Sequence, residues 1–361
     1  MENSKERMPI ISGIQQVGIG VPDVHRAWKW YREFFGTDIR IFEDKAEAKL
    51  MLPYTGNEPR SRHAALAINM QGGGGFEIWQ YTERIPMPPQ HPILTGDLGI
   101  NAVKIKAKDV HQTHRFFKTR NGNPSPIFKD PAGQETFFIR DPYENLFQIL
   151  PGNDWFLKNK KPTGAVYGTM HGVSDIENAR KVYSGILGYD ETVYDVTGTF
   201  DDLAYLPGGA SHMRRVLLKH SKNRKGSFSA LFGSSQIELI QVLDRQPRRI
   251  FEDRFWGDLG FIHLCFDVSG MDALRNLCEE KEFPFTVDSF ANINGKFDMG
   301  EAAGHFAYIE DPDGTLIEFV ETLRVPIIKK LGIYLNLQKR NPEKSLSRWM
   351  IRALALGRIR D

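Results

Sequence analysis

Gly257-Asp258-Leu259-Gly260-Phe261-Ile262-His263-Leu264-Cys265-Phe266-Asp267-Val268 is the stretch on which the reading of this 361-residue chain turns. After Gly260 the residues alternate, with Ile262, Leu264 and Phe266 on one side and Phe261, His263 and Cys265 on the other. A period of two is the pattern of a strand, and it sets His263 in mid-strand. A lone histidine in that position is ordinarily a core residue with a satisfied hydrogen bond. The segment has a counterpart, however. Gly96-Asp97-Leu98-Gly99-Ile100-Asn101-Ala102-Val103-Lys104-Ile105-Lys106-Ala107 repeats it, with Ala102 where His263 stands. A strand that tolerates alanine in one copy does not need histidine to fold. The chain is a duplication whose copies have diverged at a potential ligand.

Working outward, the same pattern of a strand, a helix and three strands recurs four times. The first unit opens with the strand 14–21 and a helix begun by Pro22-Asp23 and closed by Gly36. Its later strands are expected at about 38–43, 47–52, 63–70 and 76–81, with Gly72–Gly75 as a hairpin turn. No Lys-Ser/Thr and no helix follow those glycines, so they are not a phosphate cradle. The second unit has a strand at 101–107, a helix at about 109–121 and an end at Phe137–Ile149. The third has a strand from Ala165, a helix at Ile176–Leu187 capped by Ser174/Asp175, and a last strand before Val242. The fourth contains the opening stretch, a helix at about 270–281 and Phe306–Val320. The expected architecture is α+β, with four βαβββ units in two domains. The first domain covers 12–151, a linker rich in Pro, Gly, Asn and Lys covers 152–163, and the second covers 164–321. Residues 322–361 form a basic, helical extension with ten Lys/Arg against two acids. The expectation for that tail is a solvated helix packed on the second domain, with a membrane-surface or partner helix as the alternative.

Composition narrows the function classes. A hydrophobic share of 41% with 25% charged residues is that of a soluble globular protein. A formal charge of +2 gives no general attraction to nucleic acid. The two cysteines, Cys265 and Cys278, exclude a disulfide scaffold. There is no apolar leader and no run of about 18 apolar residues, so a cytoplasmic protein without an integral membrane segment is expected.

The repeat allows equivalent positions to be compared. Each unit offers one inward position in its first strand and one in its last: Gln16 and Glu77, Ala102 and Gln148, Gly168 and Glu238, His263 and Glu318. A mid-strand carboxylate is costly to bury unless it is paired or binds a metal. His63 and His305 begin strands and read as surface residues. Trp79, Tyr81 and Trp256 read as apolar walls or core, and Arg214, Arg215 and Lys219 as solvated charges or an anion contact.

The chain resembles the vicinal oxygen chelate superfamily, which includes glyoxalase I, bleomycin-resistance proteins and extradiol-type dioxygenases. The residues that carry the resemblance are Val21-Pro22-Asp23 and Val173-Ser174-Asp175, the helix ends Tyr31…Phe35-Gly36 and Tyr183…Leu187-Gly188, and Asp311-Pro-Asp-Gly-Thr-Leu-Ile-Glu318. It covers about 12–151 and 164–321. The resemblance implies paired units forming a cup of sheet around one divalent metal, with His263 and Glu318 as ligands. If units pair within each half, Glu238 is the third ligand. If the halves cross-pair, Gln16 and Glu77 complete a Gln, Glu, His, Glu set of the glyoxalase I type, and this version is preferred because it fills four positions.

Such a set suits Zn, Ni, Mn, Co or Fe(II) without selecting among them. The implied chemistry is isomerase or lyase chemistry, by proton abstraction next to a metal-bound carbonyl of a small substrate with adjacent oxygens. Glu318 or Glu77 would be the base. One alternative is an Fe(II) dioxygenase of the ring-cleaving or hydroxyphenylpyruvate type. Tyr308 would be its active-site tyrosine, although only one of the two histidines of a facial triad is present. The other is a non-catalytic protein that binds an antibiotic-like compound. The chain is expected to be a monomer or homodimer.

Overall fold

The computed structural model describes residues 8–292, 297–298, 303–328 and 333–359. The first unit comprises β1 (Ile10–Gly20), α1 (Val24–Phe35), β2 (Ile39–Glu47), β3 (Ser61–Ile68) and β4 (Gly75–Tyr81). The second comprises β5 (Gly99–Ala107), α2 (Val110–Lys118), β6 (Phe128–Lys129), β7 (Glu135–Arg140) and β8 (Leu146–Pro151). The third runs through β9 (Thr163–Gly172), α3 (Ile176–Tyr183), β10 (Glu191–Gly198), the short α4 (Asp201–Ala204), β11 (Met213–Lys219), the short α5 (Ser229–Phe232) and β12 (Gln236–Val242). The fourth runs through β13 (Gly260–Ser269), α6 (Met271–Glu280), β14 (Val287–Asp288), α7 (Ser289–Asn292), β15 (Phe297–Asp298), β16 (Ala303–Glu310) and β17 (Leu316–Thr322). A hairpin of β18 (Arg324–Ile328) and β19 (Ile333–Asn336) and the single helical turn α8 (Arg348–Arg352) follow.

Three of the helices, α1, α2 and α3, start at aspartate caps. Asp23, Asp109 and Asp175 each accept a hydrogen bond from the backbone N–H three residues on, and so satisfy one of the free donors at the helix N-terminus. Gly36, at φ 64°, closes α1 in the left-handed conformation. The expected strand at 47–52 does not form. β2 ends at Glu47, and a 3-10 turn at Leu52–Tyr54 follows, because Pro53 has no N–H to give a ladder.

Two mixed sheets result, and they do not follow the order of the sequence. One has nine strands, in the order β14-β16-β17-β13-β1-β4-β3-β2 with β15 on β16, and it joins the first unit to the fourth. The other has eight, in the order β10-β11-β12-β9-β5-β8-β7-β6, and it joins the second to the third. Segments 12–151 and 164–321 therefore each give one unit to each sheet. The joins are antiparallel, β1 with β13 and β5 with β9.

Between the sheets lies one continuous apolar core that includes Trp28, Phe35, Phe117, Phe147, Leu187 and Phe266. Two buried tyrosine–aspartate bonds cross it. Tyr31 on α1 donates to Asp141 Oδ2 at 2.6 Å, in the turn between β7 and β8. Tyr183 on α3 donates to Asp311 Oδ2 at 2.9 Å, in the matching turn between β16 and β17. Each bond ties a helix of one sheet to a turn of the other.

The C-terminal tail packs differently from the expectation. Leu337, Leu346 and Ile351 are buried against Ile39, Ile68 and Met70 of the first unit and against Phe156, Leu231 and Phe232. Arg358 pairs with Asp38, so the tail closes over the edge strand β2 as well as the second half. Among the described residues, no helix is long and apolar enough to cross a membrane.

His171 gives this core a pH dependence. It is fully buried on β9, with Nε2 2.7 Å from Thr169 Oγ1 and Nδ1 3.0 Å from Tyr183 Oη. Burial lowers its pKa from the ordinary 6.5 to about 3, so the folded chain keeps it neutral while the unfolded chain protonates first. Stability therefore falls as pH drops from 6.5 toward 3, by about 3 kcal/mol at pH 4.5. Urea unfolding at pH 7 and pH 4.5 is expected to show that loss in the wild type and a flatter profile in His171→Gln.

Candidate metal centre

The β1–β13 pairing creates the site. Gln16 lies opposite Cys265 and Gly18 opposite His263. β4 runs parallel to β1 with Glu77 opposite Gly18, and β17 runs parallel to β13 with Glu318 opposite Cys265. The structure therefore brings Gln16, Glu77, His263 and Glu318 to one place, from the first and fourth units. Gln16 Nε2 is 3.2 Å from Glu77 Oε2 and 3.4 Å from Glu318 Oε2. His263 Nε2 is 3.4 Å and 3.1 Å from the same two oxygens. Gly18 makes room for the imidazole, since a Cβ there would lie 2.3 Å from His263 Cε1.

A register shift between Gly18 and Ile19 alters the alternation that the sequence suggests. Ile262 packs on the cup side with Met51, Trp79 and Trp256, whereas Phe261 turns into the main core. The Trp256 ring stacks parallel to His263 at 6.1 Å, and Tyr308 meets it edge-on at 5.6 Å. Tyr308 lies beside Glu318 on the neighbouring strand. Burial, reinforced by Glu318 and Glu77, raises its pKa well above 10 and keeps it a phenol.

The residues fit a divalent cation. Two carboxylates and an imidazole, all buried, offer ligand atoms within 4.8 Å of one another. Gln16 Oε1 and His263 Nδ1 are buried without a hydrogen-bond partner among the described residues, an arrangement that native proteins avoid unless a ligand satisfies it. The 3.4 and 3.1 Å separations of His263 Nε2 from the Glu77 and Glu318 oxygens are also those between neighbouring ligands at about 2.1 Å from a common metal. Without a cation, the proton takes its place. Burial alone would lower the His263 pKa, but Glu318 and Glu77 outweigh it and raise the value to about 9.

Glu238 is not part of this group. It lies in the other sheet, fully buried, where the positions equivalent to His263 and Gln16 are Ala102 and Gly168. Lys104 fills that second cup. Its Nζ donates to Gln148 Oε1 at 2.5 Å and to Glu238 Oε2 at 2.6 Å. Arg215 donates to the other Glu238 oxygen at 2.8 Å and forks onto Asp202 at 2.7 and 2.9 Å. Burial would raise the Glu238 pKa, but Arg215 and Lys104 lower it to about 2. The tethered ammonium of Lys104 does here what a cation would do in the first cup.

Sequence reasoning missed Lys104. The available signal was a lysine two residues beyond Ala102 in an otherwise buried strand. Arg215 is buried and paired rather than solvated, whereas Arg214 is a surface residue bonded to Asp195 and Glu177. His63 and His305 are also buried, not on the surface. His63 pairs with Glu43, and His305 Nε2 lies 2.7 Å from Asp288 Oδ1. Trp79, Tyr81 and Trp256 form one aromatic wall of the first cup.

Comparison with known proteins agrees with this fold. Residues 13–149 match a model of the Glyoxalase/Bleomycin resistance protein/Dioxygenase superfamily, and residues 169–299 match a second model of the same superfamily. The chain therefore belongs to that superfamily, with two such regions in tandem. Among solved structures, it resembles glyoxalase I from Zea mays with a TM-score of 0.51 at 14% identity, covering 86% of this chain and 92% of that one. It also resembles a candidate dioxygenase from Bacillus subtilis with a TM-score of 0.55 at 9% identity, covering 86% of each chain. At these identities the likeness concerns the fold. No curated protein matches the chain by sequence.

Two outcomes follow from the cups. Because the His263 ring must lose its proton to bind a cation, affinity is expected to rise about tenfold per pH unit up to about pH 9; titration with Zn(II) or Ni(II) at pH 6.5, 7.5 and 8.5 measures this. In the second cup, Lys104→Met leaves two buried carboxylates facing one guanidinium, and it is expected to destabilise the chain by about 3 kcal/mol in urea unfolding.

Proposed function

We propose that the chain is a divalent-metal-dependent enzyme that moves a proton at the carbon next to a substrate carbonyl, giving isomerase or lyase chemistry. The observation that supports this most is the near-equivalence of Glu77 and Glu318. Each places one carboxylate oxygen 3.1–3.4 Å from His263 Nε2 and Gln16 Nε2. A divalent ion held by Gln16, Glu77, His263 and Glu318 would supply Lewis-acid polarisation of a substrate bearing two adjacent oxygens.

The protein's own residues do the rest. One of the two carboxylates, Glu77 or Glu318, would accept the proton alpha to the carbonyl at its Oε atom. The same carboxylate, or the one opposite, returns that proton to the neighbouring carbon. Trp79, Trp256, Ile262 and Leu316 exclude water from the cup, which strengthens each electrostatic contact inside it. Tyr308, kept neutral, offers its hydroxyl beside Glu318 as a fixed hydrogen-bond donor.

The dioxygenase reading is less well supported, because the described cup holds one histidine rather than two. The test is proton exchange in D2O with a panel of α-hydroxyketones and 2-oxo compounds, using protein loaded in turn with Zn, Ni, Co, Mn and Fe(II). Metal-dependent loss of the α-proton is expected, with Glu318→Gln and Glu77→Gln lowering the rate by about 10²–10⁴. Oxygen uptake by the Fe(II) form without α-proton exchange would favour the dioxygenase. Binding without either reaction would leave a sequestering protein.

A further inference from the structure

On the outer face of the sheet, away from the cup, three side chains from three elements converge. His25 stands in the first turn of α1, Glu43 in β2 and His63 in β3. His63 Nε2 is 3.1 Å from Glu43 Oε1, and His25 Nε2 is 3.4 Å from the same oxygen. The two imidazoles lie 5.2 Å apart, and the three ligand atoms are all within 4.8 Å of one another. We propose that His25, Glu43 and His63 form a second divalent-metal site, separate from the cup, that takes an ion such as Zn(II), Co(II) or Ni(II) and clamps α1 to the sheet edge.

The register separates the two centres. On the β3–β4 pair, Glu77 lies opposite Leu66 and Gln80 lies opposite His63. Residues 77 and 80 are three apart in β4, so they face opposite sides of the sheet. Gln80 Oε1 also accepts from Val24 N, which holds the start of α1 over this face. A metal bound here would not reach a substrate in the cup, so its role is to fasten.

The chemistry favours a borderline ion. Two imidazoles and one carboxylate are a common donor set for zinc and its neighbours. The His–Glu separations are those between adjacent ligands at about 2.1 Å from a metal. Arg40 Nη1 holds the second oxygen of Glu43 at 3.2 Å, which leaves Oε1 free to turn toward the histidines. His63 is buried whereas the His25 side chain is 69% exposed, so an ion has an open approach. The clamp would join a helix to β2, the strand at the end of the nine-stranded sheet. An edge strand is the part of a sheet most in need of fastening.

Equilibrium dialysis of the full chain against Zn(II) tests this, with the cup disabled by His263→Ala/Glu318→Ala. The cup-disabled chain is expected to keep about one Zn(II), and adding His25→Ala is expected to weaken it roughly 100-fold or more. Because His25 is largely exposed, that loss cannot be ascribed to misfolding, and circular dichroism checks it. Zn(II) is also expected to raise the melting temperature of the cup-disabled chain but not of its His25→Ala derivative. A cup-disabled chain that binds no Zn(II), or one whose binding His25→Ala leaves unchanged, overturns the proposal. If the wild type binds a single Zn(II) that His25→Ala removes and His263→Ala/Glu318→Ala does not, this site stands and the metal reading of the cup fails.

Discussion

The antiparallel pairing of β1 with β13 is the constraint on which the first cup depends. It is the seam between the first and fourth units, and Gly18 at its centre is small enough for the His263 ring to lie across it. β4 and β17 are then added in parallel on either side of the seam and carry Glu77 inward in the row of Gly18 and His263 and Glu318 in the row of Gln16 and Cys265. Four ligand candidates from four strands thus owe their meeting to one register. A shift of one residue would send His263 to the opposite face of the sheet.

The second seam, β5 with β9, shows what the same geometry becomes when ligands are lost. Glu238 is retained at the position of Glu77, but alanine and glycine replace the histidine and the amide. A buried carboxylate still requires a positive partner. Lys104 and Arg215 supply it from within the chain, and Asp202 balances the added guanidinium. The two cups therefore meet the same electrostatic problem in different ways, one with the tethered ammonium of Lys104 and one with the His263 imidazole between Glu77 and Glu318.

Much of this was legible in the sequence because it depends on local rules. Strand alternation, aspartate caps and the repeated glycine-bounded openings define four units, and the repeat shows which inward positions differ. The resemblance carried by Tyr31, Tyr183 and Asp311 also has a physical basis. These residues, with Asp141, form the two bonds that lock the sheets together. What could not be read locally was anything set by partners distant in sequence. The bulge that turns Ile262 into the cup, the burial of His63 and His305, and the placement of the tail over β2 all depend on such neighbours. Lys104 was overlooked for the same reason, since a mid-strand lysine is informative only once its carboxylate is known to lie across the seam.

The interleaving of the units also bears on how the chain is made. Gln16 and Glu318 touch across 302 residues of sequence. During synthesis, the first unit emerges with β1 paired to β4 on one side but lacking β13 on the other until the fourth unit is translated. The second and third units are consecutive, so their sheet can close first, around its own lysine, without any ion. The nine-stranded sheet must close last, and contacts of such long range form slowly. A nascent chain halted before Gly260 would hold all strands of the eight-stranded sheet and leave one edge of β1 unpaired, the kind of surface that chaperones shield. The first cup thus comes into being only after the fourth unit has been translated.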